Sequence, residues 1–380
     1  MADFASLLSS YDGAAAPAPA PARIPKKQHE RSAWSRLSRD ERKLRDALER
    51  GAKHALSDAK QAVAARPPGR RLAVCFTVVD GLPHEACWRR WAAELATHDV
   101  DVAFYAHAHK RAAAKASSAW LEERLIRDHY QTRWGSIELV RATLALLDAA
   151  LVENPAWVAF ASETCVPIDV KAAVAAVEAL TTFLTCTCRP DNGYARERQW
   201  EKVDRVIAAA TICKADQWAA LSAVHAQTCA ALDASVRREA RCLGARDAPS
   251  LWRLLRKCTA ADELLFPVSL ALAGELRKPA DASTGTARLA PDHDLAIVDR
   301  RLTYCDWSRG GTSPKTFAAL TADVVSAARA AGCLFARKVA AAVDEATWVA
   351  LVIGPAKRAR DDAAAEDPSS KRVCGGAGAA

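Results

Sequence analysis

The sequence lacks any apolar run long enough to form a membrane-spanning helix. Such a helix needs about 20 consecutive apolar residues, and no run in this chain of 380 residues approaches that length. The N-terminus also lacks the basic, apolar and small-residue regions of a secretory signal peptide. The residues themselves therefore predict a soluble, cytoplasmic protein, whose thiols are expected to be reduced.

Cysteine pairs typical of zinc sites are absent as well. None of the twelve cysteines belongs to a CxxC pair, and Cys186 and Cys188 form a lone CxC, which is a weak metal signal. Several others lie within apolar runs and are predicted to be small core residues: Cys75, Cys165, Cys305 and Cys333. The cysteines therefore give no support for a metal centre.

The main part of the chain has almost no net charge. The total is +8, from 53 Lys and Arg against 45 Asp and Glu. Residues 1–71 carry a balance of +7, which leaves +1 for the other 309 residues. Because nucleic-acid binding needs a basic surface, no nucleic-acid partner is expected.

Polar stretches border the part of the chain that can fold. Residues 1–30 contain a Pro/Ala-rich stretch without core-forming residues and are predicted to be a disordered tail. Residues 31–69 form a basic segment whose apolar stripe and i,i+4 ion pairs predict a helix over 38–65. This helix is expected to be solvated, the commoner outcome, and the alternatives are that it docks on the core or serves as a basic arm. Residues 354–380 are predicted to be a second disordered tail, with basic clusters.

Residues 70–353 alternate strand patterns with helix patterns. Apolar runs of strand length predict strands at 72–79, 100–107, 157–161 and 183–188. Helical patterns include Trp88 and Trp91 and extend over 111–127, 137–151, 264–273 and 316–331. The alternation is typical of the α/β class, with a mostly parallel central sheet flanked by helices. Ligands of such sheets bind at the carboxyl ends of the strands, so the loops after residues 79, 107 and 161 are candidate sites.

A strand that ends in a glycine turn is predicted over 301–317. Alternating residues from Leu302 to Trp307 fit a strand, two glycines follow Arg309, and Pro314 stops the strand. An aromatic ring and a cation beside such a turn suit a loop that holds a flat polar ligand with an anionic part. The alternative is a tight turn with a core tryptophan.

Eight short pieces of sequence occur in a fixed order between about residues 71 and 339. The most specific is Asp-Trp-Ser-Arg-Gly-Gly at 306–311, within the piece 302–317. The others are 82–83 with Trp88, 105–110, 134–136, 162–167, 217–218, 262–263 with Pro267, and 335–338. Together they resemble the core-2/I-branching β-1,6-N-acetylglucosaminyltransferases, and most closely the plant branch of that family.

The resemblance implies a GT-A-type α/β fold and an inverting enzyme that transfers a sugar from a UDP-sugar to a glycan or glycoconjugate hydroxyl. UDP-N-acetylglucosamine is the first choice of donor, and UDP-xylose is left open. No metal cofactor is implied, because the family lacks the Asp-x-Asp motif of most GT-A enzymes. Residues 162–164 read Ser-Glu-Thr where that motif would lie. Asp99 and Asp101 precede their strand, and Asp292 and Asp294 lie in a polar loop, where carboxylates are usually solvated.

Glu263 is the candidate catalytic residue. An inverting transfer needs a general base that removes the proton from the acceptor hydroxyl as its oxygen attacks the anomeric carbon. Glu263 begins an apolar helix beside Asp262 and matches the family's catalytic glutamate. On the residues alone, a glutamate stabilised by the helix dipole is the alternative.

Basic residues are the candidates for binding the donor diphosphate. Without a metal, fixed cations must stabilise the negative charge that builds on the leaving UDP. Lys338 matches the family's phosphate-binding lysine, Arg309 is a second candidate, and Arg337 is a rival to both. The alternative for Arg337 and Lys338 is an ordinary solvated strand end.

His107 is the candidate for the uridine pocket, and Trp134 is a candidate for its wall. His107 follows the second strand pattern and matches the family's histidine in that loop. Two positions later the family usually has an acidic residue, whereas this chain has His109. A structural histidine and a core tryptophan are the alternatives.

Aromatic and polar residues are the candidates for binding the acceptor, because sugars pack on aromatic faces and need fixed hydrogen-bond partners. These candidates are Glu163, Trp218, Tyr304 and Trp307. Trp218 belongs to a family Gln-Trp pair, but Ala215 and Asp216 replace the glycine and serine that precede that pair in the family. Core packing is the alternative for Trp218.

Two features leave the compartment and the activity open. Members of the family are usually anchored in the Golgi membrane by an N-terminal span, which this chain does not show. Basic clusters at 357–360 and 371–372 fit a bipartite nuclear import signal. The second hypothesis is therefore a catalytically inactive GT-A-like binding or scaffold protein in the nucleus.

Overall fold

The computed structural model describes residues 37–188, 203, 206–208, 211–244, 250–256, 258, 260–276, 297–308, 313–340 and 342–354. The chain divides into residues 1–39, of which only 37–39 are described, and a second unit of residues 40–380. The helices are α1 (Arg39–Ala65), α2 (Glu85–Ala96), α3 (Arg111–Ser117), α4 (Ala119–Glu122), α5 (Ile137–Leu151), α6 (Val170–Ala179), α7 (Ala223–Cys242), α8 (Leu251–Leu255), α9 (Asp262–Ala273), α10 (Ala322–Ala330) and α11 (Glu345–Trp348). A π-helical turn, Val349–Ile353, follows α11.

The central sheet has six strands in the order β2-β1-β3-β8-β5-β9. Pairing is parallel within β2-β1-β3 and between β5 and β9, whereas β8 is antiparallel to both of its neighbours. Smaller sheets have the orders β10-β11-β4 and β6-β7. The strands are β1 (Arg71–Val78), β2 (Asp101–Ala108), β3 (Trp157–Ser162), β4 (Val166–Pro167), β5 (Thr182–Phe183), β6 (Thr187–Cys188), β7 (Cys213–Lys214), β8 (Ala220–Ser222), β9 (Ile297–Val298), β10 (Thr303–Cys305) and β11 (Phe335–Arg337). The predicted α/β class is confirmed, with the helix-flanked central sheet expected of a GT-A-like fold.

Alternate residues of β1 pack on opposite faces of the central sheet. Leu72, Val74 and Phe76 belong to one buried apolar cluster, and Ala73 and Cys75 belong to the other. Burying each large apolar side chain contributes about 1.5–3 kcal/mol. The apolar run of β1 is therefore a strand buried on both faces, as its pattern predicts.

The parallel register brings the carboxyl ends of the first strands together. Thr77 of β1 lies opposite His107 of β2 and Ser162 of β3. On this edge the main-chain N–H of His109 donates to Val78 O at 2.9 Å. The strand-end loops predicted as candidate sites therefore lie side by side.

Two predicted elements are interrupted in the structure. The helix predicted over 111–127 breaks at Ser118, whose backbone is extended and whose hydroxyl accepts from Leu121 N–H at the start of α4. The strand predicted over 183–188 is divided between β5 and β6, which belong to different sheets. Both predictions were wrong in extent, because an extended capping residue divides the helix and pairing with different partner strands divides the strand.

α1 is docked on the core and is not the solvated helix that the sequence favours. Its buried residues form one face, and Gly51 lies against the main chain of Val236 in α7. His54 Nδ1 lies 2.8 Å from Glu239 Oε1, and Lys60 Nζ lies 3.3 Å from Glu275 Oε1. These contacts tie the helix to α7 and to the end of α9.

We expect Gly51→Ala to destabilise the protein, although alanine is the better helix former. An added Cβ would lie 2.7 Å from Val236 N, so the two helices must move apart. Overpacking of this kind costs about 1–3 kcal/mol. The measurement is the urea midpoint. Ala62→Gly on the exposed face of α1 is the matched control, where alanine should be the more stable residue.

Candidate functional site

Glu263 lies in the first turn of α9 and contacts β7. Its main-chain O accepts from Ala215 N–H at 2.8 Å, and Lys214 Nζ lies 3.0 Å from its Oε2. The Glu263 side chain keeps 20% of its surface exposed. A half-buried carboxylate is thus fixed at a junction between a helix and a strand.

Burial raises the pKa of the Glu263 carboxyl, and the positive charge of Lys214 partly offsets this effect. The neighbouring Asp262 is more deeply buried, and burial together with the charge of Glu263 raises its pKa to about 7. Asp262 Oδ1 has no hydrogen-bond partner among the residues that the structure describes. This end of α9 therefore holds two carboxyls that accept protons more readily than exposed carboxylates do.

Lys338 and Arg337 lie at the end of β11, where Arg337 pairs in register with Cys305 of β10. Lys338 Nζ donates to Ser313 Oγ at 2.7 Å. The Arg337 guanidinium lies over the Trp218 ring, 4.7 Å from its centroid. Burial and the charge of Arg337 lower the pKa of Lys338. Two positive charges thus lie close together at one strand end, and a bound anion would reduce the repulsion between them.

Glu163 is half-buried and lies close to the same cations. Burial raises the pKa of its carboxyl, and the charges of Arg337 and Lys338 oppose that effect. Asp80 also acts on Glu163, and Asp80 Oδ2 lies 3.2 Å from Lys110 Nζ. The edge formed by β1, β2 and β3 is therefore continuous with the end of β11.

The segment from Lys214 to Trp218 connects the two sides of the site. At one end Lys214 Nζ lies 3.0 Å from Glu263 Oε2, and at the other Trp218 lies beneath the Arg337 guanidinium. The predicted base, two of the predicted cations and two acceptor candidates, Glu163 and Trp218, thus belong to one connected set of neighbours.

His107 is completely buried near the end of β2. Its Nε2 accepts from Tyr130 N–H at 2.9 Å, and its ring stacks with the rings of His129 and Tyr130. Burial, with smaller contributions from nearby charges, lowers its pKa to about 4, so the ring is neutral at physiological pH. Because Nε2 accepts, Nδ1 carries the proton, and that atom has no partner among the described residues. His107 thus carries an Nδ1–H donor without a partner among the described residues, on a ring that has no exposed surface.

The candidate aromatic residues differ in exposure. Trp134 is 60% exposed and Trp307 is 43% exposed, so neither is a core tryptophan. Tyr304 stacks on Phe317 with 6.3 Å between ring centroids, whereas Trp218 is buried beneath Arg337. The exposed rings of Trp134 and Trp307 can pack on the face of a sugar. The buried ring of Trp218 instead supports the Arg337 guanidinium.

Some predicted features fall outside the described residues, and one lies at the opposite edge of the sheet. Arg309, the pair Asp292 and Asp294, and the basic clusters of the tail fall outside the described residues. Asp101 opens β2 at the opposite edge of the sheet and pairs with Arg71 at 2.6 Å. Within the described ranges, His, Cys, Asp and Glu side chains form no group of three or more suited to a metal ion.

Several residues near the site were missed by the sequence argument. Lys214 and Tyr130 contact the candidates Glu263 and His107, and Asp216 is salt-bridged to Arg301 at 3.2 Å. No motif or periodicity links these partners, which are far apart in the chain. Only Gln217-Trp218 marked the segment around Lys214 and Asp216 as noteworthy.

Comparisons with known proteins agree with the fold. A family model described as Core-2/I-Branching enzyme matches residues 89–328. The match is to the family, so the likeness to its plant branch stays a prediction. No curated protein matches the chain significantly. None of the helices in the described parts of the chain is both long and apolar enough to cross a bilayer.

Proposed function

The chain belongs to the Core-2/I-branching enzyme family of glycosyltransferases, and we propose that it transfers a sugar from a UDP-sugar to a glycan or glycoconjugate hydroxyl with inversion. N-acetylglucosamine is the sugar we propose first. The observation that carries the proposal is the position of Glu263: its half-buried carboxylate contacts Lys214, and in the same segment Trp218 packs beneath Arg337 at the end of β11.

Glu263 is proposed to act as the general base. It removes the proton of the acceptor hydroxyl while that oxygen forms a bond to the anomeric carbon. The bond from that carbon to the UDP oxygen breaks, and UDP leaves with the electron pair. The raised pKa of Glu263 favours this step, because a base is most effective when its pKa approaches the working pH.

Lys338 and Arg337 are proposed to hold the leaving diphosphate. Both cations are already fixed, Lys338 by Ser313 and Arg337 by the ring of Trp218. Preorganised charges stabilise a developing anion without reorganising during the reaction. Arg309 is a third candidate, by resemblance to the family.

His107 is proposed to contact the uracil ring. The Nδ1–H of its neutral ring has no partner among the described residues and suits a uracil carbonyl oxygen, which can reach it only if the residues that cover the ring move. Trp134 is a candidate wall for this pocket, since 60% of its surface is exposed. On the acceptor side, Trp307 and Tyr304 offer aromatic faces and Glu163 offers a hydrogen-bond acceptor, with Trp218 supporting Arg337 from below.

We expect transfer to persist in EDTA. If Lys338, Arg337 and Arg309 neutralise the diphosphate, no divalent ion is required. The measurement is UDP release from UDP-N-acetylglucosamine by the full chain, with and without a panel of glycan acceptors, before and after chelation. A metal-dependent transferase treated in parallel should lose its activity. Complete loss that manganese restores would contradict the metal-free mechanism.

A further inference from the structure

Lys214 is positioned to control the candidate base. It lies in β7, and the residue after it, Ala215, donates its main-chain N–H to Glu263 O at 2.8 Å. The main chains of β7 and α9 are therefore joined beside the carboxylate. This junction holds the Lys214 ammonium 3.0 Å from Glu263 Oε2.

The two oxygens of Glu263 are not equivalent. Oε2 is buried and forms an ion pair with Lys214 at 3.0 Å without an aligned hydrogen bond, although the side chain as a whole keeps 20% of its surface exposed. Oε1 is therefore the oxygen that can meet a hydroxyl entering from solvent. A carboxylate held on one side by a cation has fewer orientations, and a base must be oriented before it can take a proton in the transition state.

The charges around Glu263 oppose one another. Among the described residues, Lys214 and Asp216 come from the β7 segment, and Asp262 precedes the base in α9. Asp216 disfavours a second negative charge at Glu263, and Asp216 is itself paired with Arg301. Lys214 directly contacts the Glu263 carboxylate, and its positive charge favours the ionised form. Burial and the neighbouring carboxylates favour the protonated form.

We propose that Lys214 is a positioning residue for the transfer reaction, which holds Glu263 Oε2 so that the carboxylate stays ionised and Oε1 faces the acceptor. This rests on the proposed function, since it takes Glu263 as the base. In this proposal Lys214 acts on the reaction through its ion pair with Glu263.

The test is the pH dependence of kcat/KM for UDP release in the full chain. The rate rises with pH as a carboxylate base loses its proton. Lys214→Met removes the cation that favours the ionised form, so the pKa of Glu263 rises and the acidic limb moves to higher pH. An opposite charge at this distance typically shifts a carboxyl by about one to three units. Activity should thus fall about tenfold or more on the acidic side and recover at alkaline pH.

Matched variants separate control of the base from a structural role. Lys214→Arg keeps the charge and should keep the midpoint of the limb. Asp216→Asn removes an opposing charge and should move the limb to lower pH. UDP affinity should be unchanged in all three. A loss of equal size at every pH, or an acidic limb that Lys214→Met does not move, would overturn the role of Lys214.

The same experiment, with Glu263→Gln added, distinguishes failure of the positioning role of Lys214 from failure of the proposed function. If Glu263→Gln is inactive but the limb does not respond to Lys214→Met, only the positioning role is wrong. If Glu263→Gln retains full transfer, Glu263 is not the base and the function proposed for it is wrong.

Discussion

Glu263→Gln should abolish sugar transfer while leaving UDP affinity unchanged. The amide keeps the shape of the side chain but cannot accept a proton from the acceptor hydroxyl. Loss of a general base lowers the rate by about 10²–10⁴-fold. UDP should still bind, because its proposed contacts are with Lys338, Arg337 and His107. The measurements are UDP release with acceptor and calorimetric titration with UDP.

Glu345→Gln is the matched control for this prediction. Glu345 also begins a helix, α11, and its side chain is largely exposed. It should tolerate the amide with full activity, which separates the chemistry of Glu263 from the general effect of a helix-start carboxylate. If the chain is a catalytically inactive binding protein, UDP will bind but there will be no turnover for either variant to lose.

Lys338→Met should weaken UDP binding and lower kcat/KM by about 10²–10³-fold, the usual effect of removing one preorganised group that stabilises the developing anion. The ammonium is fixed by Ser313 and crowded by Arg337. Methionine keeps the stem of the side chain and removes its charge. Titration with UDP and with uridine should show that only UDP, which carries the diphosphate, loses affinity.

Lys171→Met is the control for the loss of a lysine charge. Lys171 is exposed in α6 and should leave both affinities unchanged. Equal losses for UDP and uridine in Lys338→Met would indicate that the pocket had collapsed. Unchanged UDP binding would assign the diphosphate to the other cations, Arg337 or Arg309.

Elements with strong hydrophobic patterns could be predicted from the sequence alone. The helix predicted over 137–151 has those bounds in α5, and the buried strand β1 lies within one residue of its predicted range. The helix pattern extends over several turns and the strand pattern is a continuous apolar run, so in both elements local structure and burial favour the same conformation. The break at Ser118 was missed because it depends on one extended residue that caps α4.

The candidate site was predicted less completely. The family likeness supplied Glu263, Lys338 and His107, and the structure connects the first two through neighbours. The contacts that tune these residues involve Lys214, Tyr130 and the stacking of Arg337 on Trp218. Each contact joins residues distant in sequence, so no local spacing could have revealed it.

The sequence by itself determined the alternation of strands and helices, the burial of the central strands and the family to which the chain belongs. Those properties follow from the spacing of hydrophobic residues and from short motifs in a fixed order, and each of these involves only a few neighbouring residues. The tertiary structure decided that α1 docks on α7 and that Lys214 faces Glu263. It also decided which nitrogen of His107 carries a proton. These properties depend on which surfaces, distant in sequence, pack against each other. They also depend on how burial at that interface changes the free energy of a charged group.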